Sequence, residues 1–220
     1  MAQRSMYELL NGANSAGNPD LALNAANPDA VVARQRFVHY FTGKTWNSNI
    51  WAEANLGSAG WSVTGDGING VVHSGSNKYA SLHLNSKKQF DPKSAVFIAT
   101  VKAVDADHSS HWYRCGLAGT AYNNQASLFS VHGQTTCFEF YNGVSTASSS
   151  TGVLRDELWH AVKIENHAAD SALSIDGVLR TTDTTSLTTT KQQPWFQVWR
   201  GYDTNPKPYG YIRYVECYNT

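Results

Sequence analysis

From Phe37 onward, short runs of β-branched and aromatic residues alternate with clusters of Gly, Asn, Ser and Asp. That rhythm is the signature of half-buried strands separated by turns. It predicts strands at Phe37–Phe41, Trp61–Thr64, Asn69–His73, Tyr79–Leu84, Ala95–Val104, Trp112–Ala118 and Ser127–His132. Further strands follow at Thr136–Tyr141, His160–Glu165, Ala172–Ile175, Val178–Thr182, Trp195–Arg200 and Tyr209–Tyr218. Between Leu173-Ser174-Ile175 and Val178-Leu179 stands Asp176-Gly177, a pair that readily takes the positive φ of a type I′ hairpin turn. The Ser/Thr tracts at 145–151 and 181–190 read as loops. Many short strands without a helical period predict an all-β, antiparallel two-sheet sandwich.

The first 36 residues follow another pattern. They are rich in Asn and Ala, with Tyr7 as their one aromatic before Phe37. Ser5-Met6-Tyr7-Glu8 is a capping box, and Asn11-Gly12 supplies a stop. Asn18-Pro19-Asp20 and Asn27-Pro28-Asp29 each place a capping residue, a first-turn proline and an acid in helix-starting order. Leu9, Leu10, Leu21, Leu23, Val31 and Val32 are too few to form a core. Residues 1–36 therefore read as an extended, partly helical arm, and 37–220 as the folded domain. Such an arm gains order by docking those six apolar residues onto partner chains.

Charge narrows the choice of partners. Seventeen Lys+Arg balance seventeen Asp+Glu, and charged residues make up only 15%. No basic field is available for nucleic acid or an anionic membrane, so neither partner is expected. No run reaches the roughly 18 apolar residues of a membrane span, and the first 30 residues lack a hydrophobic signal core. Cys115, Cys137 and Cys217 are odd in number and widely spaced, which predicts free buried thiols in a reducing cytosol.

The segment Gly152-Val153-Leu154-Arg155-Asp156-Glu157-Leu158-Trp159-His160-Ala161-Val162-Lys163-Ile164 resembles the turn, Trp-His and strand step of laminin-G-like and other concanavalin A-like jelly-roll sandwiches. The Asp-Gly hairpin within Ser171 to Leu179 follows in the same order. Phe41 to Trp51 is similar to that superfamily's first-strand region, and Ile212–Tyr218 to the closing strand beside the first. The resemblance spans roughly 37–220 and says little about function, because the scaffold carries lectins, hydrolases and structural modules. A Pro-punctuated arm joined to such a domain resembles tailed-phage virion proteins. That implies a capsid decoration or stabilising protein, made in the host cytoplasm and located in the virion. Its partners would be the major capsid protein or copies of itself, as a homo-oligomer such as a trimer.

Glycoside hydrolases of this fold carry a Glu-x-Asp-x-x-Glu strand whose alternate positions aim two carboxylates into a cleft. After residue 36 the glutamates are Glu53, Glu139, Glu157, Glu165 and Glu216, and none has a carboxylate two positions away. Glu139 is the best lone candidate for a catalytic carboxylate, against its reading as a solvated, outward-facing strand residue. Asp105-Ala106-Asp107-His108-Ser109-Ser110-His111 gathers metal-ligating types and reads as a polar turn. No Gly-x-Ser-x-Gly elbow occurs, and Gly65-Asp66-Gly67 does not open a helix that could cradle phosphate. Trp195 and Trp199 share strand parity; on one face they serve a core or subunit contact, or stack on sugar rings. The resulting expectation is a non-enzymatic structural protein with no catalytic residues, metal or cofactor. The alternative is a lectin-like glycan-binding module.

Overall fold

The computed structural model describes residues 36–41, 48, 50–56, 59–72, 78–84, 90–104, 111–119, 126–132, 137–142, 148–184, 190–200 and 207–220. Fifteen strands form among them. In chain order they are β1 (Arg36–Tyr40), β2 (Trp51–Leu56), β3 (Ala59–Thr64), β4 (Gly67–Val72) and β5 (Lys78–Leu84). Then come β6 (Ala95–Ala103), β7 (His111–Ala118), β8 (Ala126–His132), β9 (Cys137–Asn142) and β10 (Ser148–Leu154). The last are β11 (His160–Asn166), β12 (Ser171–Ile175), β13 (Val178–Asp183), β14 (Gln193–Arg200) and β15 (Lys207–Asn219). One sheet runs β13-β12-β11-β6-β15-β4-β3, with β1 added along β15; the other runs β10-β9-β8-β7-β14-β5-β2. Every pairing is antiparallel. The expected two-sheet sandwich is the observed fold, and the closing strand does return beside the first, with Phe37 opposite Cys217.

Two strands depart from expectation. β2, Trp-Ala-Glu-Ala-Asn-Leu, has low strand propensity after its tryptophan, and β10 lies in a Ser tract read as loop. Both are sheet edges, where pairing to a single neighbour supplies the order that composition does not. The 181–190 tract is likewise part strand, since β13 runs on to Asp183.

The core lies between the sheets and centres on Phe196 of β14. Its ring meets Trp51, Trp61 and Phe97 at centroid distances of 5.9, 6.5 and 5.9 Å. Trp51 is wholly buried and also takes Phe37 edge-on at 5.5 Å, which ties β1 and β2 to the same cluster. Tyr113 of β7 crosses the interior toward β15 and donates its hydroxyl to the Tyr211 carbonyl at 3.4 Å. Gly210 makes room for it: a Cβ there would stand 2.2 Å from the Tyr113 ring. Cys115 and Cys217 are buried free thiols, as expected, whereas Cys137 is half-buried.

The Trp-His step has a local physical cause. His160, at the start of β11, places Nδ1 2.7 Å from Asp176 Oδ2 and Nε2 2.8 Å from Asp156 Oδ1. Asp176 sits at φ 53° in the β12–β13 turn, and its other carboxylate oxygen accepts the Ala161 amide at 2.9 Å. The turn is thereby locked onto the start of β11.

The six apolar residues of the proposed arm, Leu9, Leu10, Leu21, Leu23, Val31 and Val32, lie outside the described residues, as do positions 105–110 of the Asp/His cluster. No described helix is long and apolar enough to cross a membrane. Filling the Gly210 notch tests the packing. Gly210→Val should destabilise the fold by about 1–3 kcal/mol through overpacking against Tyr113, read as a lower denaturant midpoint. An unchanged midpoint would mean that Tyr113 does not occupy that notch.

Candidate functional site

Strand alternation gives the seven-stranded sheet a second face with its own chemistry. In β7, Tyr113, Cys115 and Leu117 enter the core, so Trp112, Arg114 and Gly116 point away from it. In β14, Phe196 and Val198 enter the core, so Trp195, Gln197 and Trp199 share the outer face. The register aligns these outward positions in rungs that cross the strands. One rung is His83, Trp195, Gly116, Leu128 and Tyr141. The next is Ser81, Gln197, Arg114, Ser130 and Glu139, polar at every position. A third holds Tyr79, Trp199 and Trp112.

This face is recessed. Outward-facing residues of an open sheet are normally solvated, yet Ser81, Arg114, Ser130 and Gln197 are each at most 8% exposed. Trp195, Leu128, Tyr141 and Ala118 form a hydrophobic cluster separate from the main core. The parity expected for Trp195 and Trp199 is therefore observed, on the outer face rather than in the core between the sheets. Trp199 stacks on Trp112 at 4.8 Å with 36° between the planes.

Arg114 occupies the middle of the polar rung. Its guanidinium lies 4.1 Å from the Trp112 ring centroid and 5.0 Å from that of Tyr141, and its Nε donates to Ser130 Oγ at 3.3 Å. Burial brings its pKa down to about 10, against an opposing pull from Tyr141 and Glu139. Two flat contacts and a hydrogen bond hold this cation still, as suits a residue that orients a polar ligand. Glu139, expected to be a solvated strand residue, is half-buried on this face and acts electrostatically on Arg114. It is the one carboxylate on the face among the described residues. His83, beside Trp195, is held below the ordinary histidine range by burial. Gly116 adds no side chain to its rung; it adopts φ 154°, and a Cβ would fall 2.2 Å from the Ser127 carbonyl oxygen.

The sequence reading named Glu139, taken as a solvated strand residue, and the Trp195 and Trp199 pair, taken as a core or subunit contact or a sugar-stacking pair; it did not name Arg114, Gln197, Ser81, Ser130 or the Trp112 partnership. Strand parity could have placed Trp112 and Arg114 on one face. The rungs needed the register of five strands. Among the described residues no group of three metal-ligating side chains comes together.

No protein-family model and no curated protein sequence matches the chain. Solved structures do match its fold. A Bacillus licheniformis β-glucanase aligns with a TM-score of 0.64 at 17% identity, over 84% of this chain and 98% of its own. The apo Crh5 transglycosylase aligns with 0.63 at 16% identity, over 86% of both chains. A β-1,3-1,4-glucanase (lichenase) from a mouse hindgut metagenome gives 0.63 at 15% identity, over 84% and 99%. The fold is thus the concanavalin A-like jelly roll of the family 16 glycoside hydrolases.

These similarities correct the sequence-based reading of function. A non-enzymatic capsid decoration protein was expected, yet those three structures are two glucanases and a transglycosylase, and none is a capsid protein. The expectation of no enzyme is overturned by the same findings. It leaned on the missing Glu-x-Asp-x-x-Glu strand and on an arm whose residues lie outside the described part.

The two outward tryptophans of β14 should separate on mutation. Trp195→Ala removes a buried ring and should destabilise the fold by about 3–5 kcal/mol. Trp199→Ala, at a half-buried position, should lower the thermal midpoint clearly less. Equal losses in a melting experiment would contradict the described difference in burial.

Proposed function

We propose that the chain recognises a saccharide on the recessed face of the seven-stranded sheet, as a glycan-active or glycan-binding protein. One observation carries this reading: a row of hydrogen-bonding side chains lies between two rows that carry aromatic rings. A pyranose presents hydroxyls around its rim and apolar C–H groups on its faces. It therefore matches a surface offering donors and acceptors beside rings. Ser81 to Glu139 spans five strands, about 19 Å at the usual interstrand spacing, room for several sugar units of a linear chain. Ser81, Gln197, Arg114, Ser130 and Glu139 would meet the hydroxyls. Trp199, Trp112 and Tyr79 would flank one side, and Trp195 with Tyr141 the other.

Mixed-linkage β-1,3-1,4-glucan is the first ligand to test, by analogy with the glucanases that share the fold. The enzymatic character of those neighbours favours a chemical role for Glu139, the half-buried carboxylate of the polar row. A retaining hydrolase needs two carboxyl groups about 5–5.5 Å apart. A second one is not among the described residues of this face, so Glu139 is the side chain on which turnover would first depend.

Titration calorimetry with mixed-linkage glucan oligosaccharides, backed by a glycan array, tests the recognition. Trp199→Ala should weaken binding by about tenfold, the equivalent of about 1.4 kcal/mol for a lost stacking ring. Absence of binding to any glycan, or full affinity in Trp199→Ala, would remove the proposal. Assaying the same incubations for new reducing ends or transfer products decides between the two modes. Product formation that disappears in Glu139→Gln marks an enzyme, and saturable binding without product marks a binding protein.

A further inference from the structure

On the far side of the molecule from β2, the end strands β13 and β10 of the two sheets stand together, and His160 joins the segments beside them. Its imidazole is buried, with the side chain 9% exposed, and lies edge-on to Phe138 of β9 at 4.9 Å. Each ring nitrogen meets a carboxylate, Nδ1 at 2.7 Å from Asp176 and Nε2 at 2.8 Å from Asp156. A carboxylate only accepts. A neutral imidazole carries a single N–H and an acceptor lone pair on the other nitrogen, so it satisfies one of these contacts and opposes the other. The observed geometry therefore belongs to the doubly protonated ring.

The two carboxylates are not held equally. Asp176 is fixed by the turn: its backbone N–H donates to the Ala161 carbonyl, and its Oδ1 accepts the Ala161 amide at 2.9 Å. Asp156 lies in the connection between β10 and β11, and besides His160 it holds the Leu158 amide two residues away at 2.9 Å. When one proton leaves, the N–H facing the anchored Asp176 is retained, and Asp156 is the partner that departs.

We propose that Asp156, His160 and Asp176 form a proton-operated clamp, closed when both ring nitrogens carry hydrogen and opened at the Asp156 arm when one is lost. Opening frees the connection that continues directly from β10. That strand is the edge of the saccharide sheet, and its Ser150 pairs with Glu139. The clamp thus links solvent pH to the border of the recessed face, and its existence does not depend on the glycan reading.

The charged groups acting on His160 are Asp156 from its own side and Asp176 from the turn. β9 contributes the uncharged Phe138, and β6 lies alongside with Val101 in register. Burial alone would lower the histidine pKa, but the two carboxylates outweigh it and hold it above the ordinary 6.5. Stabilisation from His160 is therefore complete below 6.5 and is lost as pH rises through the folded-state value. Burial of Asp156 is likewise outweighed by its bonds to His160 and Leu158, which hold it below 3.8, so its contribution is lost only as pH falls through that lower value.

The test is a pH titration of the full chain by NMR, following the His160 ring and the amides of Leu158 and Ala161. The His160 midpoint should lie above 6.5, with the Leu158 amide shifting at the same midpoint and the Ala161 amide remaining comparatively still. In Asp156→Asn the His160 midpoint should fall and the Leu158 transition should disappear. A wild-type midpoint at or below 6.5 would overturn the clamp. Equal movement of Ala161 and Leu158 would overturn the release of the Asp156 arm, as would a midpoint unmoved by Asp156→Asn.

Discussion

Burial of an aromatic cluster between two sheets is the interaction on which the structure depends, and Phe196 stands at its centre. Trp51, Trp61 and Phe97 converge on that ring from three strands. Once Phe196 and Val198 are committed to the interior, period-two alternation forces Trp195, Gln197 and Trp199 outward. The same holds one strand over, where burial of Tyr113 and Cys115 turns Trp112 and Arg114 to the other side. The candidate site is thus the reverse side of the core, and a one-residue slip in β14 or β7 would exchange one for the other.

The reverse side is unusual in how little it is solvated. Arg114 is 8% exposed on a sheet surface, with Trp112 and Tyr141 against its guanidinium and Ser130 as acceptor. Burying a cation is costly unless hydrogen bonds and neighbouring charge compensate, and the nearby Glu139 supplies an opposite charge. The result is a charge-balanced polar row set between aromatic rows, the feature on which the proposed saccharide reading rests. The jelly-roll scaffold does not dictate that composition. It dictates only that seven strands lie side by side with their outward residues in rungs.

The His160 clamp shows how a short motif can be structurally rather than catalytically meaningful. In this chain the Trp159-His160 and Asp176-Gly177 steps are physically linked, because the histidine ties the hairpin turn back to β11 through Asp176. An apparent Asp-His-Asp constellation of this kind is easily mistaken for hydrolytic machinery. Among the described residues no nucleophilic hydroxyl or thiol bonds to the ring; both of its nitrogens are taken by carboxylates.

Strand positions, the Asp-Gly hairpin and the two-sheet architecture were readable from the chain, because alternation and turn chemistry are local properties. So was the shared face of Trp195 and Trp199, since parity within one strand needs no knowledge of its neighbours. β2 and β10 were not readable: Ala, Glu and Ser at sheet edges become strands through the partner they pair with. The polar row was not readable either, as Ser81, Gln197, Arg114, Ser130 and Glu139 come from five strands separated by up to 116 residues. Only the register of those strands brings them level. A lone Glu139 on an alternating strand looks solvated until the arginine two strands away is seen to share its rung. Local pattern thus determined which residues pair into strands and turns. Tertiary structure decided which of their outward faces became the buried candidate site, because burial and adjacency across strands depend on residues far apart in the chain.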